Sequence, residues 1–393
     1  METKNTNPTL RKGFDNEDPK PRSMLLVAYS PSRAMLESYF VVHNEMQVGR
    51  DDSCRVALND DRISRNHFRV LDAGKKTFIE DLGSSNGTFV NGERIRDTTR
   101  LKNNSVINAG HTLLVYVEDA DEIHYSHHGD LHGMTGRFHA TCISRSLEES
   151  ARSKLNLLLS GPSGTGKELA AQALSEIMGR PLTVQNAARF SSSEEAAASL
   201  FGVGPKVFSG VSDRAGYIER ADGGILFLDE AHNLPRRLQK SLLRIIEDGV
   251  LVRIGETEER EVDIRFVLAS NKKGKTNGLV KDLYNRLRVV DIPPLAQRRA
   301  DIPELFTHLL DKAFDAQGIS APPAADLLRQ AHYESLMLDG FEDANIRGLI
   351  GIADKIATRA ATDASPAQAI ADTARHIPRN PSSPPIPHAS TPK

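Results

Sequence analysis

Short apolar runs separated by turn residues characterise the N-terminal part of the chain. Between residues 23 and 118, runs such as "MLLVAY", "TFIEDL" and "TLLVYV" alternate with turns rich in Gly, Asn, Asp and Ser. Short strands at such close intervals are typical of an all-β sandwich. We therefore predict a β-sandwich over residues 23–118. The preceding residues 1–22 are charged and rich in Asn and Thr, which predicts a disordered arm.

The pattern changes after a linker that we place at residues 119–135. From residue 136 to 299, apolar runs alternate with helical periodicity, which predicts a parallel α/β sheet. Residues 300–362 have a helical pattern throughout and predict a helical lid. Residues 363–393 are rich in Pro and Ser, which favours a disordered tail with room for one short helix around 366–376. The predicted fold is multidomain, an all-β sandwich followed by an α/β domain with an α-helical lid.

Composition and charge exclude several classes of protein. The chain of 393 residues has a formal net charge of -2, which argues against a wholly basic nucleic-acid-binding surface. Its two cysteines, Cys54 and Cys142, are far apart in sequence and imply no disulfide framework. No apolar run approaches the ~20 residues of a membrane span, and residues 1–22 contain no signal-peptide core. We therefore expect a cytoplasmic protein without a membrane partner.

The segment "LNLLLSGPSGTGKELAAQAL" carries the strongest chemical signal. An apolar β-run leads into a glycine-rich loop and then a helix, so backbone N–H groups and the helix N-terminus converge where phosphates bind. Gly161, Gly166 and Lys167 match the spacing G-x-x-x-x-G-K, with Lys167 placed to reach the β- and γ-phosphates of ATP. The usual Ser or Thr after the lysine is Glu168 here. The predicted ATP-binding residues of this loop are Gly161, Pro162, Ser163, Gly164, Thr165, Gly166, Lys167 and Glu168.

A second buried run, "GGILFLDE", ends in two carboxylates. In the same domain as a phosphate loop, Asp229 would hold Mg²⁺ and Glu230 would polarise an attacking water. On its own, such a pair is also compatible with a solvated strand end. A further apolar strand, "IRFVLASN", ends at Ser270 and Asn271, whose side chains could contact the γ-phosphate or the lytic water.

These motifs, with "LFG", "DLYNRLRVV", "PPLAQRRADIPEL" and "ANIRGL" in the same order, resemble a known ATPase family. The family is the AAA+ domain of the bacterial enhancer-binding proteins that activate sigma-54 RNA polymerase. The resemblance extends from about residue 134 to 361, more than half of the chain. It implies a P-loop AAA+ fold and a homo-oligomeric ring, commonly a hexamer. ATP would bind between subunits, and its hydrolysis would drive a loop against the sigma factor.

The resemblance also implies the roles of further side chains. Asn186 in "VQNAA" is the family's partner that holds the catalytic Glu230 until nucleotide is sensed. Asn271 falls at the first sensor, and Arg347 falls at the second sensor on a lid helix over the same nucleotide. Arg286 corresponds to an arginine finger that acts on the site of the neighbouring subunit. A surface ion pair is the alternative reading of each arginine.

The loop that would grip sigma-54 is "KVFSGV", residues 206–211, where the family has Gly-Ala-Phe-Thr-Gly-Ala. Phe208 and Gly210 are retained and Ser209 keeps the hydroxyl, whereas Lys206 replaces a glycine and β-branched valines replace both alanines. Such changes stiffen a loop and are costly where φ is positive. We predict a sigma-factor contact through Val207, Phe208, Ser209 and Gly210. The alternative is a loop packed on its own domain.

Other departures from the family concern the finger and the lid. The family's first finger arginine falls at Val280, which leaves Arg286 to act alone. Phe341 stands near the family's Trp, and Gly348 replaces the Glu that follows the second-sensor arginine. The lid geometry is therefore expected to differ, and hydrolysis could be slow.

The sandwich contains the motifs "VGRDDSCRV", "ISRNHFRV" and "DLGSSNGTFVNG", which resemble the forkhead-associated (FHA) domain, a module that reads phosphothreonine. A phosphate carries about two negative charges, so its site needs cations and donors on adjacent loops. The resemblance implies that Arg50 and Arg65 supply charge, Ser64 supplies a hydroxyl and Asn86 binds the peptide main chain. By the same pattern the residues that hold the loops in place are Gly49, His67 and Asn91.

The sequence thus predicts a phosphothreonine-responsive AAA+ ATPase that activates sigma-54 RNA polymerase by ATP-driven remodelling and is regulated through its FHA domain. Its cofactors would be ATP and Mg²⁺. Its partners would be the sigma-54 holoenzyme and a phosphothreonine protein from a serine/threonine kinase pathway. Because the segment after residue 361 does not suit two helices joined by a tight turn, we expect no sequence-specific DNA binding by this chain. The alternative is a phosphothreonine-binding adaptor whose AAA+ module binds ATP mainly to oligomerise and does not engage sigma-54.

Overall fold

The computed structural model of the chain describes most of its length. The described residues are 23–36, 38–74, 76–119, 132–205, 213–339, 341, 344–362 and 365–374. The predicted disordered arm and most of the predicted linker lie outside them. The predicted sigma-factor contacts Val207, Phe208, Ser209 and Gly210 also lie outside the described residues.

The N-terminal region is a β-sandwich, as its turn-separated apolar runs predict. Its described strands are β1 (Met24–Tyr29), β2 (Tyr39–Val41), β3 (Glu45–Gly49), β4 (Val56–Ala57), β5 (Phe68–Asp72), β6 (Thr77–Asp81), β7 (Thr88–Val90), β8 (Glu93–Arg94), β9 (Thr99–Leu101), β10 (Ser105–Ala109) and β11 (Thr112–Val117). One sheet has the strand order β2-β1-β11-β10-β7-β8, and the other has the order β4-β3-β5-β6-β9. Apolar side chains such as Leu25, Val48, Phe68 and Leu114 fill the space between the two sheets.

The central region is a parallel α/β sheet with helices on both faces. Its described strands are β12 (Asn156–Ser160), β13 (Leu182–Asn186), β14 (Ile225–Asp229), β15 (Val250–Val252), β16 (Glu259–Glu261), β17 (Arg265–Ser270) and β18 (Leu287–Asp291). Its described helices are α1 (His139–Arg152), α2 (Lys167–Met178), α3 (Ser193–Phe201), α4 (Tyr217–Arg220), α5 (Arg236–Asp248) and α6 (Lys281–Tyr284). The parallel sheet has the order β13-β14-β17-β12-β18, while β15 and β16 form a separate antiparallel pair.

Both faces of the parallel sheet are buried, which explains why its strands are nearly continuous apolar runs. Leu157 and Leu159 of β12 pack with α1 and α2, whereas Leu158 packs with α3 and α5 on the opposite face. The strand β14 shows the same alternation and ends at the half-buried Asp229. The predicted α/β fold is therefore confirmed.

The C-terminal region is helical. Its described helices are α7 (Ile302–Ala316), α8 (Ala324–Leu327), α9 (Gln330–Leu338), α10 (Ile346–Thr362) and α11 (Pro366–Ala374). The short helix expected around residues 366–376 is present as α11. Ala369 and Ile370 of α11 are buried in the core of the lid, so the disordered-tail prediction is wrong for residues 366–374. The burial of these two apolar side chains against the other lid helices stabilises the helix, although the surrounding Pro- and Ser-rich composition favours disorder.

The sandwich and the lid share one hydrophobic core. The outer faces of β1, β10 and β11 pack against the lid helices, and the segment Arg299–Asp301 lies beside β1 and β11. Cys54 and Cys142, both in the described part of the chain, form no disulfide, as their spacing predicts. None of the helices in the described ranges combines the length and apolarity that crossing a bilayer requires.

Candidate functional sites

The carboxyl ends of adjacent parallel strands bring the predicted ATPase residues to one edge of the sheet. Asn186 ends β13 and pairs with Asp229, which ends β14. Ser160 ends β12 and pairs with Ser270, which ends β17 and is followed directly by Asn271. In open α/β sheets, ligands bind in the crevice outside the carboxyl ends of the strands. The strand register therefore assembles these residues at a position suited to a ligand.

The phosphate loop, Gly161 to Gly166, connects β12 to α2 and is held by close backbone contacts. A Cβ atom on Gly161 would lie 2.3 Å from the Ile292 carbonyl oxygen, so that position accepts only glycine. Gly164 has a φ of 75° and passes close to the lid, where an added Cβ would lie 2.5 Å from the Ala344 carbonyl oxygen. The loop thus directs the N-terminus of α2, with its positive dipole end, at the sheet edge.

Lys167 is the first residue of α2 and is only 8% exposed. Its ammonium donates hydrogen bonds to the carbonyl oxygens of Gly161 and Pro162, each over 2.8 Å. Burial lowers the pKa of the Lys167 ammonium, while the nearby carboxylates of Asp229 and Glu230 act in the opposite direction. A phosphate oxygen is a stronger acceptor for this ammonium than either neutral carbonyl, because the hydrogen bond would be assisted by charge on both partners.

The two carboxylates after β14 have separate amide partners. Asp229 Oδ2 accepts a hydrogen bond from Asn186 Nδ2 over 3.4 Å, and Glu230 Oε2 accepts one from Asn233 Nδ2 over 2.9 Å. The family resemblance implies a contact between Asn186 and Glu230, whereas the structure joins Asn186 to the neighbouring Asp229. Sequence reasoning missed Asn233, although its place three residues after Glu230 in "DEAHN" was a signal.

Glu230 has a φ of 51°, in the left-handed region that few residues other than glycine adopt. Strained backbone of this kind is found mainly at functional sites. The carboxylate of Asp229 is half-buried and that of Glu168 is exposed on the first turn of α2. Oxygen donors of this kind suit Mg²⁺, which prefers carboxylates and phosphate oxygens. Asp229 offers such an oxygen at the end of β14, whereas Glu168 stands where P-loop proteins usually have a hydroxyl.

The side chains that follow β17 have different roles. The hydroxyl of Ser270 is buried, donates to the Asn277 carbonyl oxygen over 2.6 Å and lies 3.2 Å from His232 Nδ1. The expectation that Ser270 contacts phosphate or water is therefore wrong, because its hydroxyl holds the chain after the strand. Asn271 is half-buried and lines a cleft of about 1210 Å³ next to the phosphate loop. The turn between β9 and β10, Lys102 to Ser105, forms part of the wall of this cleft.

The lid contacts the phosphate loop at the start of α10. Arg347 is exposed and its Nη1 donates to Ser163 Oγ over 2.8 Å. The backbone N–H of Ile346 donates to the Gly164 carbonyl oxygen over 3.0 Å. Asn345, missed by sequence reasoning, is 1% exposed and has a φ of 50°. Its place within "ANIRGL", beside the second-sensor arginine, was the available signal.

Arg286 lies at the opposite edge of the sheet from Lys167. It precedes β18, whose first residue Leu287 pairs with Asn156, the first residue of β12. Arg286 is exposed, and its Nη2 lies 2.7 Å from Glu247 Oε1 on α5. This position puts its guanidinium away from the phosphate loop of its own chain.

The segments on either side of the predicted sigma-factor loop are joined to each other. The backbone groups of Val203 and Arg214 exchange hydrogen bonds of 2.9 and 3.0 Å in an antiparallel bridge. Val203 also forms a parallel bridge with Ile254. The described residues that flank positions 206–212 are exposed, namely Pro205 before them and Asp213 after them. The chain therefore leaves and re-enters the domain at one point on its surface.

At one end of the sandwich, three loops bring the predicted phosphopeptide residues together. The backbone N–H of Arg50 donates to the Ser64 carbonyl oxygen over 2.9 Å, and the N–H of Asp51 donates to the Arg65 carbonyl oxygen over 3.2 Å. The N–H of Ser85 donates to Ser64 Oγ over 3.0 Å, which brings in the third loop. The side chains predicted to bind phosphopeptide are exposed or half-exposed: Arg50, Ser64, Arg65 and Asn86.

Buried side chains hold these loops in place. His67 Nδ1 accepts a hydrogen bond from the Ser64 N–H over 3.0 Å, and its Nε2 lies 3.3 Å from the Gly87 carbonyl oxygen. The ring is therefore neutral with its proton on Nε2, and burial lowers the pKa of His67, against the opposing Gly87 hydrogen bond. A Cβ on Gly49 would lie 1.9 Å from the Arg65 carbonyl oxygen. Asn91, with a φ of 51°, accepts from the Val106 N–H over 2.9 Å.

Comparison with known families assigns the two regions. Residues 46–110 match the FHA domain, and residues 136–293 match the sigma-54 interaction domain. These matches confirm both resemblances that the sequence motifs suggest.

Individual relatives agree with these assignments. The transcriptional regulatory protein XylR of Pseudomonas putida is 36% identical over 204 residues, covering 49% of this chain and 36% of XylR. The DNA-binding transcriptional regulator NtrC of Salmonella typhimurium is 36% identical over 189 residues, covering 46% of this chain and 40% of NtrC. The chain thus spans 36% and 40% of the lengths of these two relatives. The crystal structure of NtrX from Brucella abortus in complex with ADP has a TM-score of 0.50 and 27% identity, and the match covers 60% of this chain and 54% of NtrX.

Proposed function

Because this chain joins an FHA domain to a sigma-54 interaction domain, we propose that it is a phosphothreonine-responsive AAA+ ATPase that remodels sigma-54 RNA polymerase and so activates transcription. Sigma-54 interaction domains are AAA+ ATPases, and the related NtrX binds ADP. The observation that carries the proposal is the convergence of Lys167, Asp229 and Glu230 at one sheet edge, beside the lid arginine Arg347.

In the proposed reaction, each side chain at this edge has a distinct task. Lys167 would exchange its two carbonyl partners for the β- and γ-phosphates of ATP. Glu230 would orient the attacking water and take up its proton, while Asn233 fixes the carboxylate by its 2.9 Å hydrogen bond. Asp229 would hold Mg²⁺, which neutralises charge on the phosphates when bound. Arg347 would close the lid over the nucleotide from its position on Ser163.

The position of Arg286 supports a role as an arginine finger that acts between subunits of a ring. Since Arg286 lies at the edge opposite to Lys167, it would serve the nucleotide of a neighbouring subunit. An arginine supplied in this way stabilises charge that develops in the transition state. A homo-oligomeric ring, with a hexamer as its expected size, brings the two edges of adjacent subunits together.

The loop at residues 206–211 would transmit the work of hydrolysis to the sigma factor. Its sequence KVFSGV contains Val207, Phe208 and Val211, and exposed apolar tips usually mark contacts with partners. Both ends of the loop are anchored through Val203, which bridges Arg214 and Ile254. A change in the ATPase core that moves Val203 would therefore displace both flanks of the loop together.

The FHA domain would connect this ATPase to phosphorylation. Arg50 and Arg65 are exposed cations on adjacent loops, and Ser64, which precedes Arg65, accepts a backbone hydrogen bond from Arg50. Such a set of cation and hydroxyl donors fits a phosphate that offers several charged acceptors. The partner would be a phosphothreonine protein made by a serine/threonine kinase.

Co-elution of the protein with sigma-54 in ADP and a metal fluoride tests this function. This mixture mimics the transition state, in which the loop should engage. We expect a complex with the wild type, none with Phe208→Ala, and a retained complex with the control Lys206→Gly, which restores the family's glycine. If ATP is hydrolysed but no complex forms, the loop serves another partner and the adaptor function is correct instead.

A further inference from the structure

The sheet β2-β1-β11-β10-β7-β8 is covered on both faces where β1 and β11 lie. Alternate side chains of a strand point to opposite faces of its sheet. Leu25 and Val27 of β1 pack inside the sandwich, whereas Leu26 and Ala28 pack in the core of the lid. The outer-face side chains that join the lid core are Met24, Leu26, Ala28, Val106, Leu113, Val115 and Val117.

All seven of these side chains are at most 6% exposed. On the lid side, Leu305 and Phe306 of α7 and Tyr333 and Met337 of α9 belong to the same core. Domains joined by small or polar interfaces move relative to each other by default, and a large hydrophobic interface is the exception. Separating the sandwich from the lid would transfer seven apolar side chains to water, which strongly disfavours the separated state.

Polar contacts fix the register of this interface. Asn108 Nδ2 of β10 donates to Glu334 Oε2 of α9 over 2.9 Å. The rings of Tyr29 and Tyr333 lie next to each other, with centroids 4.9 Å apart. Burial raises the pKa of Glu334, and the hydrogen bond from Asn108 opposes that rise. The contacts are therefore specific as well as apolar.

Four consecutive residues connect this interface to the phosphate loop. Arg298 is 5% exposed and donates to the Thr165 carbonyl oxygen over 2.7 Å. Arg299 Nη1 donates to the Asn104 carbonyl oxygen, in the turn between β9 and β10, over 3.4 Å. Ala300 lies in the core that the sandwich and lid share. The segment thus contacts the nucleotide loop on one side and the FHA domain on the other.

Asp301 completes this connection by holding the start of the ATPase domain. It is 1% exposed, and its carboxylate accepts hydrogen bonds from the backbone N–H groups of Phe138 and His139 over 2.8 and 3.0 Å. Burial tends to raise the pKa of Asp301, but contacts with His139, the Phe138 N–H and Arg298 outweigh it and keep the pKa low. A displaced FHA domain would therefore disturb both the first helix and the phosphate loop.

The phosphopeptide loops are not part of this interface. Arg50, Arg65 and Asn86 are exposed and lie in loops that follow β3, β4 and β6, whereas the lid covers strands β1, β10 and β11. A peptide on these loops would leave the interface intact.

We propose that the FHA domain stays docked on the lid throughout the ATP cycle, as a structural part of the ATPase that holds the phosphate loop through residues 298–301. A phosphothreonine partner then binds without releasing the FHA domain. Regulation acts by bringing the phosphorylated partner to the ring, and not by removing an inhibitory domain. The proposal rests on the phosphate loop being the nucleotide site of the proposed function, and it is independent of sigma-54.

Cross-linking across the Asn108–Glu334 contact tests the proposal. The variant combines Asn108→Cys and Glu334→Cys with Cys54→Ser and Cys142→Ser, so that only the introduced thiols react with a short bis-maleimide. The same variant treated with N-ethylmaleimide is the matched control, because it is modified at the same positions without being joined. If the FHA domain never undocks, a cross-link that holds it on the lid does not change the binding equilibria. We therefore expect the affinities for ADP and for a phosphothreonine peptide to be within about twofold of the control.

A tenfold or larger loss of either affinity on cross-linking would overturn the proposal, because it would mean that undocking is required. Neither readout involves sigma-54, so failure of the sigma-54 function leaves this test intact.

A second variant tests the connection to the phosphate loop. Val115→Lys places a charge at the buried interface, and Leu155→Lys, at a side chain that is 55% exposed, is its control. We expect Val115→Lys to weaken ADP binding by at least about fivefold while phosphopeptide binding, which reports a folded FHA domain, is kept. Unchanged ADP affinity in a protein whose FHA domain has undocked, as seen by small-angle scattering, would overturn the coupling.

Discussion

Asn345 Nδ2 donates a hydrogen bond to the Ser163 carbonyl oxygen over 2.9 Å, and so ties the lid directly to the phosphate loop. The Oδ1 atom of the same side chain accepts from the Leu295 N–H over 2.8 Å. With a φ of 50° and 1% exposure, Asn345 combines a left-handed backbone with one buried and one partly buried hydrogen bond. Asparagine suits this position because it tolerates that backbone better than other residues with a side chain.

Asn345→Ala is expected to loosen the lid and weaken nucleotide binding. Loss of the Asn345 amide leaves the Leu295 N–H without its acceptor, which lowers the free energy of unfolding by about 1–3 kcal/mol. Asn345→Gly loses the same hydrogen bonds but accepts the positive φ, so it should be about 1 kcal/mol less destabilised than the alanine variant. Urea denaturation and ADP titration of both variants measure these effects. Equal stability of wild type and both variants would contradict this role.

The FHA domain should become less stable as the pH is lowered below about 6.5, because of His67. Burial lowers the pKa of the folded-state ring below its usual 6.5, against the hydrogen bond to Gly87 and the charges of Asp81 and Asp60. Above that usual value the ring is neutral in both states and contributes no pH dependence. Below it the unfolded chain takes up the proton first, so the free energy of unfolding decreases until the folded-state pKa is reached.

Protonation of His67 at Nδ1 also removes the acceptor of the Ser64 N–H. His67→Gln removes the titration, so its stability should depend less on pH between about 6.5 and the folded-state pKa of the wild type. Denaturant unfolding over a pH series, followed by a probe in the sandwich, compares the two proteins. Parallel pH profiles would show that His67 does not titrate on unfolding.

Arg50→Ala should abolish most phosphopeptide binding. A hydrogen bond between charged groups contributes about 1.5–3 kcal/mol, which corresponds to a loss of about 10- to 150-fold in affinity. Arg55→Ala is the matched control, because Arg55 is also exposed but lies outside the predicted set. Calorimetric titration with a phosphothreonine peptide measures the change. If both variants lost the same small amount of phosphopeptide affinity, Arg50 would contribute only to the general positive charge of the surface.

Arg286→Ala is expected to stop ATP hydrolysis and leave ATP binding nearly unchanged, because the proposed finger would act in the transition state on a neighbouring subunit. Glu247→Ala removes only the ion-pair partner of Arg286 and should retain activity. Mixing Arg286→Ala with the inactive Lys167→Ala should restore part of the turnover, since each variant supplies what the other lacks. If Glu247→Ala were as inactive as Arg286→Ala, the ion pair and not the finger would account for the loss.

The ATPase site could be predicted from the sequence largely because its residues follow strands. The phosphate-loop motif directly follows the end of β12, Asp229 ends β14, and a parallel register brings such strand ends to one edge. The partners of these residues could not be predicted. The local motifs around Asn233 and Asn345 draw attention to these residues, but the contacts that they make depend on how a turn and a lid fold back, which a local motif does not specify.

The interface between the sandwich and the lid likewise could be predicted from the sequence only in part. The nearly continuous apolar runs of β1 and β11 predict strands, and in hindsight the absence of a polar and apolar alternation indicates burial on both faces. Which element covers the outer face depends on contacts between residues as distant as Asn108 and Glu334. The helix α11 was visible as a short pattern, but its place in the lid core depends on helices formed earlier in the chain.

The central claim is that ATP hydrolysis by this chain remodels sigma-54 polymerase, and its most direct test is open-complex formation at a sigma-54 promoter. We predict that the wild type with ATP opens the promoter. Glu230→Gln should bind ATP without opening it, and Phe208→Ala should hydrolyse ATP without opening it. A wild type that hydrolyses ATP at the rate of Phe208→Ala but leaves the promoter closed would contradict the account.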